Sequence, residues 1–142
     1  MAPVAIRFGG CQPARSVHTR AVRVFEAGLR RRLGDGIGFT FLEDVTQTGR
    51  RAAELLTMTE SGELDLCYFS SSYLAGRVPA LALFDLPFVI ENRATAYRLL
   101  DGPAGERLAQ AVSDATGFLV LGMWDNGIRH ISNGRRPLRH PG

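Results

Sequence analysis

The chain has 142 residues, 45% of them hydrophobic and 22% charged, and a formal net charge of +3 carried by arginine without a single lysine. That balance suits one folded domain with a core of its own and excludes a disordered chain. No apolar run approaches the ~20 residues a membrane span needs, and MAPVAIRFGG shows no basic segment followed by an apolar stretch, so no signal peptide is visible.

The first element is a strand over VAIRF, 4–8, ending at Gly9-Gly10. A helix follows from Ser16, whose hydroxyl suits an N-cap, to Leu33. Val17, Ala21, Val24, Phe25 and Gly28 recur along it at helical spacing. Gly34 and Gly36 stop it. The GDGIG here comes after a helix and before a strand, the wrong order for a phosphate cradle. IGFTFL, 37–42, alternates as a strand. TQTG is a loop, and a second helix spans 50–60, with Ala52, Leu55, Leu56 and Thr59 on one face. LDLCYFS, 64–70, is apolar on both faces apart from Asp65, as a buried parallel strand should be.

Strand, helix, strand, helix, strand in this order predicts an α/β fold with a mostly parallel sheet. The segment from Ser70 to Asn92 is broken by two prolines and reads as a helical turn and an extended, packed connection. Helices are expected from Asn92 to Leu100 and from Ala104 to Thr116, the second stopped by Gly117, with Leu108, Val112 and Ala115 inward. FLVLGMW, 118–124, reads as a fourth strand. Asp125-Asn126-Gly127 turns, and IRHIS, 128–132, starts another strand.

In an open α/β sheet, ligands bind beyond the carboxyl ends of the strands. That rule selects Gln12 after strand one, Ser70, Ser71 and Tyr73 after strand three, and Trp124, Asn126 and Arg129 after strand four. Hydroxyls, amides, one indole and one guanidinium orient a small anion by hydrogen bonds, and arginine grips a carboxylate bidentately. Each has a plainer reading beside it. The serines cap a helical turn, Trp124 is a core aromatic, Asn126 is a turn residue and Arg129 is a surface charge.

A catalytic set does not assemble. No serine stands in a G-x-S-x-G elbow. His18 lies on the early turns of the first helix and reads as packing or surface. His130 and His140 lie near the end of the chain, and Asp85 caps or pairs locally. Cys11 and Cys67 have no metal-ligand spacing and read as small buried side chains, so neither a metal nor another cofactor is expected. The arginine clusters at 30–32, 50–51 and 135–136 lack interleaved aromatics and read as solvated surface, so no nucleic-acid partner is expected.

GELDLCYFSSSYL at 62–74, VPALALFDLPFVIENRATAYRLLDGPAGERL at 78–108 and LGMWDNGIRHISNGRRPLRHP at 121–141 carry a resemblance. In series they resemble the dicarboxylate-binding family of solute-binding proteins from TRAP (tripartite ATP-independent periplasmic) transporters. The shared patterns are G-x-L-D, F-D-L-P-F, L-D-G-x-x-G and W-x-N-G-x-R, in the same order over nearly the whole chain.

The resemblance implies a periplasmic-binding-protein-like (type II) lobe, here incomplete. Residues 1–124 form the first lobe, and 125–142 form the crossover strand that starts a second. It implies no enzyme but a periplasmic protein that captures a small organic acid of C4-dicarboxylate type and hands it to TRAP membrane subunits. Arg129 matches the family's crossover arginine, and Gln12, Ser70, Ser71, Tyr73, Trp124 and Asn126 fall where members line the cleft. The family's main carboxylate clamp lies in a continuation beyond Gly142. The chain is therefore read as truncated, with apolar surface exposed where the rest of the lobe packs. A regulatory or self-associating module, a non-functional fragment, and a small enzyme using Cys67 or His18 stand as alternatives.

Overall fold

A computed structural model describes residues 4–127 and Gly134. The chain divides into two compact units, residues 1–89 and 90–142. The first is a three-stranded sheet in the order β2-β1-β3, built from β1 (Val4–Gly9), β2 (Ile37–Leu42) and β3 (Leu66–Cys67). Both pairings are parallel. β1 matches β2 along its whole length, from Val4 opposite Ile37 to Gly9 opposite Leu42, and it meets β3 at Phe8–Leu66 and Gly9–Cys67. The α/β reading with a parallel sheet therefore holds. Arg7 locks β1 to the entry of β3: its guanidinium takes both Asp65 carboxylate oxygens, at 2.9 Å from Nε and 2.8 Å from Nη2, and its backbone N–H donates to Oδ2 at 2.8 Å.

Alternation along β1 sends Phe8 to one face and Gly9 to the other. On the Phe8 face lies α1 (Val17–Leu33), whose Phe25 packs with Phe8 and Phe39; Phe8 also meets Phe39 and Phe41, giving an aromatic layer at centroid spacings of 5.6–6.4 Å. Ser16 caps α1 by accepting from Thr19 N–H at 3.0 Å, and Gly34 at φ 55° ends it, as the sequence predicts. The buried stripe differs from the expected one. Thr19 and Val22 are buried, whereas Val17 and Val24 are exposed. The apolar periodicity has two overlapping solutions, and the one holding Thr19, Val22, Phe25 and Leu29 wins because it meets the aromatic face of the sheet.

On the Gly9 face lies α2 (Glu54–Glu60). Leu55, Met58, Val45 and Leu64 form the buried cluster, with Cys11, Leu42 and Cys67 packed against it. A Cβ on Gly9 would run into the Leu64 and Leu55 side chains, so glycine here lets helix and sheet close up. α2 starts later than predicted, because residues 52–53 form a turn and the Glu54 carboxylate reaches back to Arg51 N–H at 2.9 Å. β3 is also shorter than the 64–70 run. Beyond Gly9 the β1 backbone turns to the other side, Gly10 bonding Leu42 and Val45, so β3 loses its partner after Tyr68. A 3-10 turn, Ser71–Leu74, and a longer 3-10 stretch, Pro79–Asp85, complete the unit with Leu74, Val78 and Leu81 buried. Phe88 follows at φ 64° and 98% exposed.

The second unit holds α3 (Arg93–Leu100) and α4 (Pro103–Thr116). Asn92 caps α3 through Thr95 N–H at 2.9 Å, and Gly117 ends α4 at φ 76°. The hairpin is tight because Gly105 lies against the Leu100 carbonyl, where any Cβ would collide. Val112 is buried as expected and Leu108 is half-buried, whereas Ala115 is exposed.

The predicted fourth strand is not found: 118–124 carries no strand ladder among the described residues, and Leu119 and Leu121 are 80% and 65% exposed. A run apolar on both faces becomes a strand only when a neighbour takes its backbone groups, and no described residue does so. The strand predicted at 128–132 lies outside the described residues.

Candidate functional site

Three chain segments leave the sheet at its carboxyl end in the first unit. After β1, Gly10 and Cys11 continue toward Gln12, which is exposed. The Gln12 carbonyl accepts from Thr19 Oγ1 at 3.1 Å, which ties the segment to the first turn of α1. After β2, Asp44 caps the 3-10 turn Val45–Thr48, its Oδ1 accepting from Thr46 N–H at 3.0 Å and Oγ1 at 2.6 Å. The Thr46 hydroxyl, the largest influence, holds Asp44 below the usual carboxylate range, so it is ionised at neutral pH. Cys11 and Asp44 form an isolated antiparallel bridge.

After β3 come Tyr68 and the serines. Ser70 and Ser72 share a 2.8 Å hydroxyl–hydroxyl bond, Ser71 opens the Ser71–Leu74 turn, and Tyr73 donates its N–H to the Ser70 carbonyl at 3.1 Å. Ser70 and Ser71 are half-buried and Tyr73 is 47% exposed. The Ser70 side chain does not cap the turn. Gln12, Ser70, Ser71 and Tyr73 thus share the carboxyl end of neighbouring strands in one unit.

Two further side chains, Tyr68 and His18, stand at this end of the sheet. The Tyr68 ring is clamped against Gly10, where a Cβ would stand 2.7 Å from Cε1 and 2.6 Å from the Glu43 carbonyl. Burial pushes the Tyr68 phenol up. His18 stacks on the same ring, centroids 5.6 Å apart and planes 19° apart. Only the position of His18 in the first helical turn, at the end of the sheet where ligands bind, hints at this in the sequence.

Trp124 and Asn126 belong to the second unit, where both are exposed. Their turn is anchored by Asp125. It accepts from Gly127 N–H at 2.6 Å and from the Tyr97 hydroxyl at 2.8 Å, and it pairs with Arg93 Nε at 2.7 Å. The Gly127 amide, then the Tyr97 hydroxyl, hold Asp125 below its ordinary value. Arg129 lies outside the described residues, as do His130 and His140.

The cysteines do not offer a nucleophile. Burial pushes both thiols up, and Asp44 adds to the effect on Cys11, the opposite of what an activated thiolate needs. Among the described residues no His, Cys, Asp and Glu gather as metal ligands, and no helix is long and apolar enough to cross a membrane.

Residues 8–142 match the family described as bacterial extracellular solute-binding protein, family 7. The chain is 28% identical over 141 residues to the 2,3-diketo-L-gulonate-binding periplasmic protein YiaO of Escherichia coli, covering 99% of this chain and 42% of that protein. Its fold matches the sugar-acid-binding protein of Advenella mimigardefordensis in complex with galactonate, with a TM-score of 0.85, 27% identity, and coverage of 96% of this chain and 43% of that one. It also matches a TRAP periplasmic solute-binding protein of Sulfurospirillum deleyianum with bound succinate, with a TM-score of 0.82, 24% identity, and coverage of 97% and 44%. The chain thus spans well under half the length of these relatives. The family and its structural neighbours are transport solute-binding proteins rather than enzymes. With nearly its whole length matched, the chain belongs to the bacterial extracellular solute-binding proteins of family 7.

Proposed function

We propose that this chain supplies the first-lobe part of a periplasmic protein that captures a small organic acid and delivers it to TRAP membrane subunits. The observation that carries the reading is the convergence of Gln12, Ser70, Ser71 and Tyr73 at the carboxyl end of a parallel sheet in a chain whose family captures solutes for transport. These groups hydrogen-bond the solute. Trp124, Asn126 and Arg129 are the further candidates the family resemblance supplies for contacting the acid, an arginine being suited to grip a carboxylate bidentately. Residues 1–124 are the first lobe in this reading, and 125–142 the crossover into a second. Reversible recognition needs no cofactor: closure removes water from the anion and strengthens each charged hydrogen bond.

The acid is of C4-dicarboxylate or sugar-acid type. A C4 dicarboxylate fits the sequence resemblance, and the proteins related at 27–28% identity point to sugar acids. Thermal unfolding with a panel of both classes and neutral sugars tests the proposal. A midpoint that rises with the acids and not with the sugars is expected, and a midpoint indifferent to every acid contradicts it. A second reading, self-association, is favoured by exposed Phe88, Leu119 and Leu121. Sedimentation equilibrium showing a tight dimer would support it, and a monomer would remove it.

A further inference from the structure

The His18 imidazole is half-buried, yet among the described residues its only contact of note is the parallel stack on Tyr68. Its ring nitrogens make no hydrogen bond there. A ring held flat by another ring has a fixed direction for its N–H, so it meets a ligand without first losing rotational freedom. Tyr68 is itself fixed between that imidazole and the backbone at Gly10. Both rings stand where β1 and β3 end, Tyr68 against Gly10 and His18 one residue from the Thr19 that bonds the Gln12 carbonyl, the end of the sheet at which ligands of this fold class bind.

The charge beside this pair matters as much. Asp44, at the end of β2, bridges Cys11, the residue next to the Gly10 against which the Tyr68 ring is held. Its Oδ1 is engaged by Thr46, but among the described residues Oδ2 receives only a long 3.5 Å contact from Gln47. An ionised carboxylate with a free lone pair accepts from a hydroxyl and repels a second carboxylate.

We propose that His18 is a ligand-contacting, specificity-determining residue that donates to a hydroxyl or keto oxygen of the solute, so that this lobe prefers hydroxylated monocarboxylates of sugar-acid type over dicarboxylates. The inference rests on the solute-binding reading and narrows it.

Ring-nitrogen NMR of the histidine-labelled chain, titrated to high concentration with D-galactonate or with succinate, tests it. Galactonate is expected to shift the His18 nitrogens and succinate to leave them nearly unchanged. The variant His18→Phe keeps a ring on Tyr68 but no donor. It is expected to lose about tenfold in galactonate affinity, the worth of one hydrogen bond, with succinate unaffected. Galactonate shifting the Ser70 and Ser71 amides while the His18 nitrogens stay still would overturn the role of His18 and spare solute binding. No response to any acid would overturn both. If His18→Phe melts early, the parent spectrum alone decides.

Discussion

Gly10 shows how much one missing atom can determine. A Cβ there meets the Glu43 carbonyl and the Tyr68 ring, so Gly10→Ala forces the backbone or the ring to move. A loss of about 1–3 kcal/mol in urea unfolding is expected, the range for overpacking a close contact. The change also loosens the ring on which His18 rests. Cys67 illustrates the opposite case, a reactive atom held quiet. Burial pushes its thiol up, so the folded chain should react with iodoacetamide at Cys67 far more slowly than the urea-unfolded chain. Equal rates would mean the thiol is open. Asp65 carries a pH effect of definite sign. Hydrogen bonds from the Arg7 side chain, then its backbone, lower the Asp65 pKa. Its contribution is full above the unfolded value of about 3.9 and is lost as the pH falls through the lower folded value. The pair is more than a third exposed, so the effect is small and screened by salt. The acid limb of an unfolding titration should flatten slightly in Asp65→Asn.

Packing of whole elements rests on two thin layers. Leu55 is fully buried between α2 and the sheet, so Leu55→Ala should cost about 2–5 kcal/mol, read from denaturant midpoints. The elements most legible in the sequence were those with local punctuation. Ser16 and Gly34 fixed the ends of α1, and Asn92 and Gly117 marked one end each of α3 and α4, because caps and left-handed stops are chemistry of one or two residues. The fourth strand was not legible. FLVLGMW has strand composition, but a ladder depends on a neighbour that composition cannot supply. The inward stripe of α1 was misread for a related reason: Val17 and Val24 fit the helical period as well as Thr19 and Val22 do. Only Phe25, Phe39 and Phe41 meeting Phe8 decides between them. The strand-end rule selected Gln12 and the serines, which the fold places at the ends of β1 and β3, but passed over Tyr68 and Asp44. Tyr68 falls inside its predicted strand rather than beyond it, and what places the two residues there is contact across the strand ends, Tyr68 with Gly10 and Asp44 with Cys11.

For the molecule as a whole, the parallel sheet and the solute-binding family account together for polar side chains at the strand ends and for half-buried thiols that serve as packing. The account stands on whether the polar strand ends recognise a small organic acid. Backbone amide NMR of the chain, titrated with galactonate and succinate against a neutral sugar, asks this residue by residue and detects weak binding. The account predicts that an acid, and not the sugar, moves the amides of Gln12, Ser70, Ser71 and Tyr73 together along one saturable curve. Amides that stay fixed with every acid, or shifts confined to the arginine run at 30–32 and abolished by salt, would contradict it.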